Sequence, residues 1–533
     1  MCWPGTWKAF SPASGLTERL AAGFCDTHTE SSQLVEKGGL VLRLVLCLSI
    51  VLASPLMAQD GYDVVLEGGR VIDPETGLDA VRNVGIRGDR IAEVSTDVLA
   101  GAEVVDVSGL VVAPGFIDLH AHGQTNTANE YQAHDGVTTA LELELGVPFV
   151  KAWLDSRRGN ALINFGVTVS HASARWLAMT RYAGEAREAR ATADNVVPLP
   201  TPLAVASAAF DKARESASMT SAEMDAMAEI LSAGLGQGAL GIGVPVGYYP
   251  GATREEIFRV YEVAAKRDVP VYTHVRAPEI PAIQEAIANG GATGASVHIV
   301  HINSMALGRV GVALAMIDSA QKHGLDITTE LYPYTAGSTL IESTLFDEGW
   351  QEIFGIDYGD LQWVATGERL TEETFRKYRA TGGTLILHAM KEEWIETGLR
   401  APFTLIGSDG MPYAPLAHPR SAGTFSRVLG RYVRERGTLS FKDALRKMTI
   451  MPARRAESAA PSMRLKGRLQ VGCDADITVF DPARVIDTAT FGQELTFAEG
   501  IPHVLVNGTF VVREGKTVSD VHPGRAVLGK YRN

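Results

Sequence analysis

Eight short apolar runs recur through the middle of this 533-residue chain, and segments with helical periodicity lie between them. The segments 221–235 and 253–267, for example, place apolar residues three and four positions apart. Strands that alternate with helices predict an α/β fold with a parallel sheet, and eight such units predict a (β/α)8 TIM-like barrel. The predicted strands are 114–122, 137–145, 162–171, 238–244, 269–274, 296–301, 325–330 and 403–409.

Shorter alternating runs, punctuated by glycine, flank the predicted barrel on both sides. Alternation with a period of two is typical of half-buried strands. We therefore expect both ends of the mature chain, residues 60–113 and 464–533, to form one small β-sandwich. The barrel would then span residues 114–463, with residues 339–402 inserted before its last strand as a lid.

The first 58 residues carry the pattern of an export signal. Residues 44–53 form an apolar run that is too short to cross a bilayer. Lys37 and Arg43 precede this run and small residues follow it, so cleavage is expected after Ala58. The pattern predicts a leader at residues 1–58 and a protein exported to the bacterial periplasm, with an uncleaved membrane anchor as the alternative.

Charge and cysteine content bear on partners and on stability. The chain has 62 acidic and 49 basic residues, which gives a net charge of −13. Binding to nucleic acid or to anionic membranes depends on Lys and Arg, so we expect neither partner for the mature chain. Cleavage would leave only Cys473 of the four cysteines, which excludes an internal disulfide. The sequence leaves the oligomeric state open.

Histidines stand at the ends of three of the predicted strands. His120 and His122 follow an apolar run and, two positions apart on a strand, point to the same face. His274 ends the fifth strand and His301 the sixth. His298 has the opposite parity to His301, so we expect His298 to pack in the core. Because strand ends meet at one rim of a barrel, these imidazoles predict a metal site.

Acidic residues complete the predicted site. Asp409 lies just beyond the last strand. In the second strand, Glu142 and Glu144 alternate with leucines and share a face, and buried carboxylates are costly without a cation. Glu144 is nearer the C-terminal rim and is the predicted ligand, with Glu142 as the alternative.

The donor set predicts the metal and its chemistry. Nitrogen and oxygen ligands without a thiolate favour Zn²⁺, as one ion or two. Zinc activates water and polarises a carbonyl group. In this scheme Asp409, itself a predicted ligand, takes the proton of the attacking water and passes it to the leaving amine.

The chain resembles the amidohydrolase superfamily, and more narrowly its D-aminoacylase (N-acyl-D-amino-acid deacylase) branch. The resemblance runs over about residues 62–530. It is carried by PGFIDLHAH, by LYPYTAGST at 331–339 and by HPRSAGTFSRVLGRYVRE at 418–435. The branch usually has a bridging Cys at the end of the second strand, where this chain has Leu145 and Gly146 after Glu144.

The resemblance also implies substrate-binding residues. It places Tyr332, Ser338 and Arg420 at the substrate carboxylate, and a guanidinium can clamp a carboxylate through two hydrogen bonds. A structural salt bridge is the alternative role for Arg420. Asn303 stands where the branch often has Lys, and His171 of the SHASAR motif is a further candidate for the pocket wall.

The resulting hypothesis is a metal-dependent hydrolase that cleaves the amide bond of N-acyl-D-amino acids, with acidic ones such as N-acyl-D-glutamate among the candidates. A cyclic-amide hydrolase or a dipeptidase of the same superfamily is one alternative, although no lysine lies on the fourth strand to serve as a carboxylated bridging ligand. A catalytically inactive secreted binding protein on the same scaffold is the other.

Overall fold

The computed structural model describes residues 61–193 and 218–532. The predicted leader at residues 1–58, with Cys2, Cys25 and Cys47, lies outside these ranges. Within them, no helix has both the length and the apolar composition needed to span a bilayer.

Eight parallel strands form the centre of the fold, and they match the eight apolar runs. They pair in chain order from the first strand to the seventh, and the seventh pairs with the eighth. We number them barrel strands 1 to 8: Phe116–Asp118, Val137–Val147, Asn164–Ser170, Ile242–Pro245, Val271–His274, Val297–Ile299, Ile327–Leu331 and Thr404–Ile406. The predicted α/β barrel is confirmed.

The barrel nearly closes just beyond strands 1 and 8. Ala121 and Gly410 form an isolated parallel bridge there. The backbone N–H of His122 donates to the Gly410 carbonyl at 2.8 Å. The Oγ of Ser408 donates a short hydrogen bond to Asp118. Closure therefore brings the segment after strand 1 against the segment after strand 8.

Helices separate the barrel strands, and their ends follow ordinary capping chemistry. Thr220 and Glu223 form a capping box at the start of one helix, and Gly294 ends another in the left-handed conformation. The α-helices are Asn126–His134, Val150–Arg157, His171–Ala178, Ala183–Ala193, Ser221–Gly236, Arg254–Lys266, Ile280–Thr293, Ile302–Ala306, Val310–Lys322, Trp350–Phe354, Glu372–Thr381, Glu392–Arg400, Arg420–Arg427, Phe441–Met448 and Ile450–Glu457. A π-helix at Val428–Glu435 continues directly from the helix Arg420–Arg427.

Strands from both ends of the described chain join in one nine-stranded, mostly antiparallel sheet. The expected joining of the two ends is confirmed, and the packing of two sheets as a sandwich stays a prediction. The two ends meet where Val111–Pro114 pairs with Ile477–Phe480. Apolar side chains from both ends fill one core, which includes Cys473 as a free thiol. The strands are Tyr62–Asp73, Leu78–Arg87, Arg90–Ser95, Gly101–Asp106, Val111–Pro114, Ile477–Phe480, His503–Val506, Thr509–Arg513 and Lys516–Thr517.

A small antiparallel sheet lies between barrel strands 7 and 8. Its strands are Gly337–Leu340, Leu361–Trp363 and Thr384–Leu387, with Thr384–Leu387 in the middle. A separate aromatic-rich core packs beneath it. The first of these strands carries Ser338 and Thr339, which face the site described next. The lid role and the boundaries of the predicted domains stay predictions.

Candidate metal centre and substrate cavity

Glu144 stands at the centre of the four predicted histidine ligands. Its Oε1 lies 2.8 Å from Nδ1 of His274 and 3.3 Å from Nε2 of His301. Its Oε2 lies 3.2 Å from Nε2 of both His120 and His122. One carboxylate therefore contacts two pairs of imidazoles. Glu144, and not Glu142, occupies this position.

A bulge in barrel strand 2 delivers Glu144 to the rim. The pairing with strand 3 shifts register between Glu142 and Val147. Gly146 takes a φ of +64°, and a side chain there would collide with Thr168. The Thr168 hydroxyl donates to the Leu143 carbonyl at 3.0 Å, which holds the bulged backbone in place.

Asp409 reaches the same centre from beyond barrel strand 8. Its Oδ1 lies 3.2 Å from Nε2 of His122 and 3.5 Å from Nε2 of His120. Asp409 and His301 both have positive φ angles, +50° and +33°. Such backbone is costly for residues other than glycine and persists where the surrounding structure enforces it.

Two groups of side chains have the geometry of a metal site. In each group, one ligand atom per residue lies within 4.8 Å of the others, and every residue is buried. The first group is His120, Glu144 and His301, and the second is His120, His122 and Asp409. They share His120, so they describe one compact centre.

Three further acids lie behind the centre, two against imidazoles and one against the backbone of His120. Glu142 lies 2.7 Å from Nδ1 of His122, and Glu330 lies 2.6 Å from Nδ1 of His120. Glu330 also lies 3.2 Å from Nε2 of His298, which is fully buried as expected. Asp118 accepts from the His120 backbone N–H at 3.0 Å. Carboxylates behind ligating histidines typically fix the ring orientation and the tautomer.

Glu330 and Asp118 were not predicted from the sequence. Each is a single acid in its barrel strand, without the alternating pair of acids that identified Glu142 and Glu144. Burial opposes ionisation of Glu330, but His120 and His298 hold the pKa of its carboxyl below the ordinary value. Burial raises the pKa of Asp118 to about 6.

The electrostatics of the centre favour a bound cation. Burial alone would raise the pKa of Glu144, yet the surrounding imidazoles hold it well below its ordinary range. Burial likewise opposes protonation of His120, but the carboxylates of Asp409, Glu330 and Glu144 raise its pKa well above the ordinary value. The buried carboxylates need positive charge nearby. Without a metal ion, protonated imidazoles would have to supply that charge, whereas a bound divalent cation would supply it and leave the imidazoles neutral.

Arg420 contacts Asp409 at the start of the helix Arg420–Arg427. Its Nη1 lies 3.0 Å from Oδ2 of Asp409, and its Nη2 donates to the Ser338 carbonyl at 3.1 Å. The guanidinium carbon lies 4.5 Å from the ring centre of Tyr332. The Nε is buried and has no hydrogen-bond partner among the described residues.

Two cavities adjoin the centre. The larger is lined in part by His274, His301, Tyr332 and Arg420. The smaller includes His122 and Glu144 in its wall. Both cavities share the residues Tyr248, Ser338, Thr339 and Asp409. Tyr248 was not predicted from the sequence. The centre of its ring lies 4.6 Å from the centre of the His274 ring.

Two candidates for substrate binding lie away from the cavity walls. His171 is fully buried, and its Nε2 lies 2.8 Å from Glu256, which Arg175 also contacts. Asn303 donates to the Tyr332 carbonyl at 3.1 Å and is not among the residues that line either cavity. The structure thus gives His171 a place in a buried ion-pair cluster, and Asn303 a contact with the backbone behind Tyr332.

Comparisons with known proteins agree with this architecture. A family model described as "Amidohydrolase family" matches residues 103–293 and 313–512. An N-acyl-D-glutamate deacylase of Alcaligenes xylosoxydans xylosoxydans is 34% identical over 481 residues, which are 85% of this chain and 94% of that protein. A D-aminoacylase of the same organism is 31% identical over 489 residues, which are 87% of this chain and 97% of that protein.

A solved structure shows the same similarity. It is the N-acyl-D-glutamate deacylase of Bordetella bronchiseptica, complexed with zinc and a phosphonate inhibitor that mimics the tetrahedral intermediate of the reaction. It is 27% identical in sequence, with a TM-score of 0.72. The similarity covers 88% of this chain and 100% of that chain.

Proposed function

The chain belongs to the amidohydrolase family, and from this premise we propose that it is a metal-dependent hydrolase of N-acyl-D-amino acids. Its substrates are linear amides, and its products are a carboxylate and a free D-amino acid. Relatives with this activity in their names are 30–34% identical over most of the chain. The observation that carries the proposal is the convergence of four imidazoles on the Glu144 carboxylate beside Asp409 and Arg420.

The residues present fit one or two zinc ions. Imidazole nitrogens and carboxylate oxygens are ordinary zinc ligands, and the buried acids give the centre an excess of negative charge. We assign the ligands as His120, His122, Glu144, His274, His301 and Asp409. Zinc held there supplies a Lewis acid that activates water and polarises the scissile carbonyl group.

Asp409 is the proposed proton carrier. It lines both cavities, so its carboxylate can reach a water molecule and a substrate that lie between them. It takes a proton from the attacking water and delivers it to the amide nitrogen, which leaves as an amine. The pKa of Asp409 would be raised by burial, but Arg420 and the adjacent imidazoles keep it below its ordinary value. The carboxylate is therefore ionised and ready to act as a base.

Arg420 is the proposed anchor for the substrate carboxylate. Its unpartnered Nε and its place in the larger cavity leave it able to donate to an anion. Tyr332 holds the guanidinium against its ring face, and Ser338 holds it through its backbone carbonyl. These contacts fix the guanidinium plane before substrate arrives, which lowers the entropic cost of binding.

Purified protein assayed against paired N-acetyl-D- and N-acetyl-L-amino acids tests the proposal. We expect release of free amino acid from the D-series. Hydrolysis of the L-series alone would overturn it, and so would hydrolysis of cyclic amides without activity on any N-acetyl amino acid.

We also propose that residues 1–58 form a cleaved leader and that the mature protein is exported to the bacterial periplasm. The apolar run at 44–53, with Lys37 and Arg43 before it, supports this proposal. N-terminal sequencing of protein from the periplasmic fraction should give a start at Gln59. Full-length protein recovered from the cytoplasm would contradict it.

A further inference from the structure

We infer that this site selects N-acyl-D-amino acids whose side chains are uncharged and largely apolar. The inference rests on the proposed function and specifies its substrate class. It sets the chain apart from its relative that is named for N-acyl-D-glutamate.

The wall of the larger cavity is mostly apolar beyond the metal centre. Side chains from the segments after barrel strands 6 and 7 form it: Met305, Leu307, Leu345, Phe354, Leu387 and Met390. The polar groups in the rest of the wall, apart from the centre itself and Arg420, are hydroxyls. A methionine or leucine side chain would lose its hydration here and gain apolar contacts, which favours binding.

Arg420 is the one Lys or Arg among the described residues that line either cavity. It can pair with one substrate carboxylate, and every N-acyl amino acid already has an α-carboxylate for it. The second carboxylate of an acidic substrate would find no second Lys or Arg to pair with among the described residues of either cavity wall.

The smaller cavity would also disfavour a charged side chain, if the substrate were bound with its amino-acid half there. Its wall includes Leu145, Leu340 and Met411 beside the centre. A side-chain carboxylate would therefore be as poorly accommodated in the smaller cavity as in the larger one. Because Arg420 lines only the larger cavity, the amino-acid half belongs in that cavity and the acyl group in the smaller one.

Three substrates of similar length separate the effect of charge from the effect of size. N-acetyl-D-methionine, N-acetyl-D-glutamine and N-acetyl-D-glutamate should be assayed with the zinc-loaded protein. We expect kcat/KM to fall in that order, with the methionine derivative about 100-fold or more above the glutamate derivative. A glutamate derivative that is hydrolysed as fast as the glutamine derivative would overturn the inference and leave the proposed function standing. Hydrolysis of none of the three would overturn both.

A charge placed in the cavity wall provides a second test. Ala389 lines the larger cavity and is partly exposed, so a long side chain has room there. Ala389→Lys should raise the ratio of kcat/KM for the glutamate derivative over the glutamine derivative by about tenfold or more. Ala389→Met, which is similar in length but uncharged, should leave that ratio unchanged. An unchanged ratio in folded Ala389→Lys would contradict the placement of the side chain in this cavity.

Discussion

Nη1 of Arg420 lies 3.0 Å from Oδ2 of Asp409, inside the barrel mouth. The group proposed to bind the substrate carboxylate therefore contacts the group proposed to carry the proton. The other oxygen of Asp409 lies 3.2 Å from Nε2 of His122, a proposed zinc ligand. Because of this contact, substitution of either residue should disturb both the binding of substrate and its turnover.

Asp409→Asn should abolish turnover while the protein keeps zinc. The amide does not accept a proton as the carboxylate does, and we expect kcat to fall by about 10³-fold. The histidines and Glu144 remain to hold metal, so zinc content by mass spectrometry should stay near that of the wild type. Asp225→Asn is the control and should keep full activity, because Asp225 is exposed, pairs with Arg259 and lines neither cavity. A kcat for Asp409→Asn close to that of the control would refute the assigned role.

Glu144→Gln and Glu142→Gln should affect metal binding unequally. Glu144 contacts four imidazoles, so loss of its charge should remove most of the bound zinc. Glu142 lies behind His122, and its substitution should weaken zinc affinity by about 10–100-fold. Competition with a chromophoric chelator measures both affinities. Zinc binding by Glu144→Gln as tight as that by Glu142→Gln would refute the central position assigned to Glu144.

Arg420→Met should remove the preference for an acid over its amide. The wild type should hydrolyse N-acetyl-D-methionine about 10–100-fold better, in kcat/KM, than N-acetyl-D-methioninamide, because only the acid pairs with the guanidinium. In the variant both substrates should be poor and nearly equal. The ratio is informative even if the loss of the Asp409 contact slows turnover of both. Retention of the acid preference would show that another group binds the carboxylate.

The barrel could be predicted because strands buried on both faces leave near-continuous apolar runs in the sequence. All eleven residues of Val137–Val147 are buried, for example. The sequence also showed which side chains stand at strand ends, and the structure brings His120, His122, His274, His301 and Asp409 together.

Side-chain direction beyond a strand end was harder to predict. His171 lies one position after barrel strand 3 and Asn303 four positions after barrel strand 6, each in the first turn of a helix, yet neither lines either of the two cavities. The direction of a side chain there depends on how the helix packs, which no local motif specifies. Glu330 was missed because a lone acid among the threonines of strand 7 resembles a solvated position until its partners His120 and His298 are known.

Asp135 should make the stability of the protein depend on pH. It accepts the backbone N–H groups of Phe425 and Ser426 at 2.9 and 2.7 Å and so anchors the helix that carries Arg420. Burial raises the pKa of this carboxyl from 3.8 to about 7. A raised pKa means that the folded state binds the proton more tightly than the unfolded state does. The resulting contribution to the free energy of unfolding is complete below pH 3.8 and is lost as the pH rises to about 7.

Asp135→Asn should therefore lose stability relative to the wild type at low pH and lose less at high pH. Between pH 4 and pH 7 the difference in the free energy of unfolding should shrink, by about 1.4 kcal/mol per pH unit at most. Denaturant unfolding at a series of pH values measures the difference directly. A difference that does not change with pH would show that Asp135 stays ionised in the folded protein.

Amide hydrolysis should depend on zinc held by the buried cluster around Glu144. Stripping the purified protein with a chelator, adding zinc back stepwise and following the release of D-methionine from N-acetyl-D-methionine measures this dependence. We expect the stripped protein to be inactive and activity to return with the first one or two equivalents of zinc, while Glu144→Gln stays inactive throughout. Undiminished hydrolysis by protein that contains no metal would contradict it.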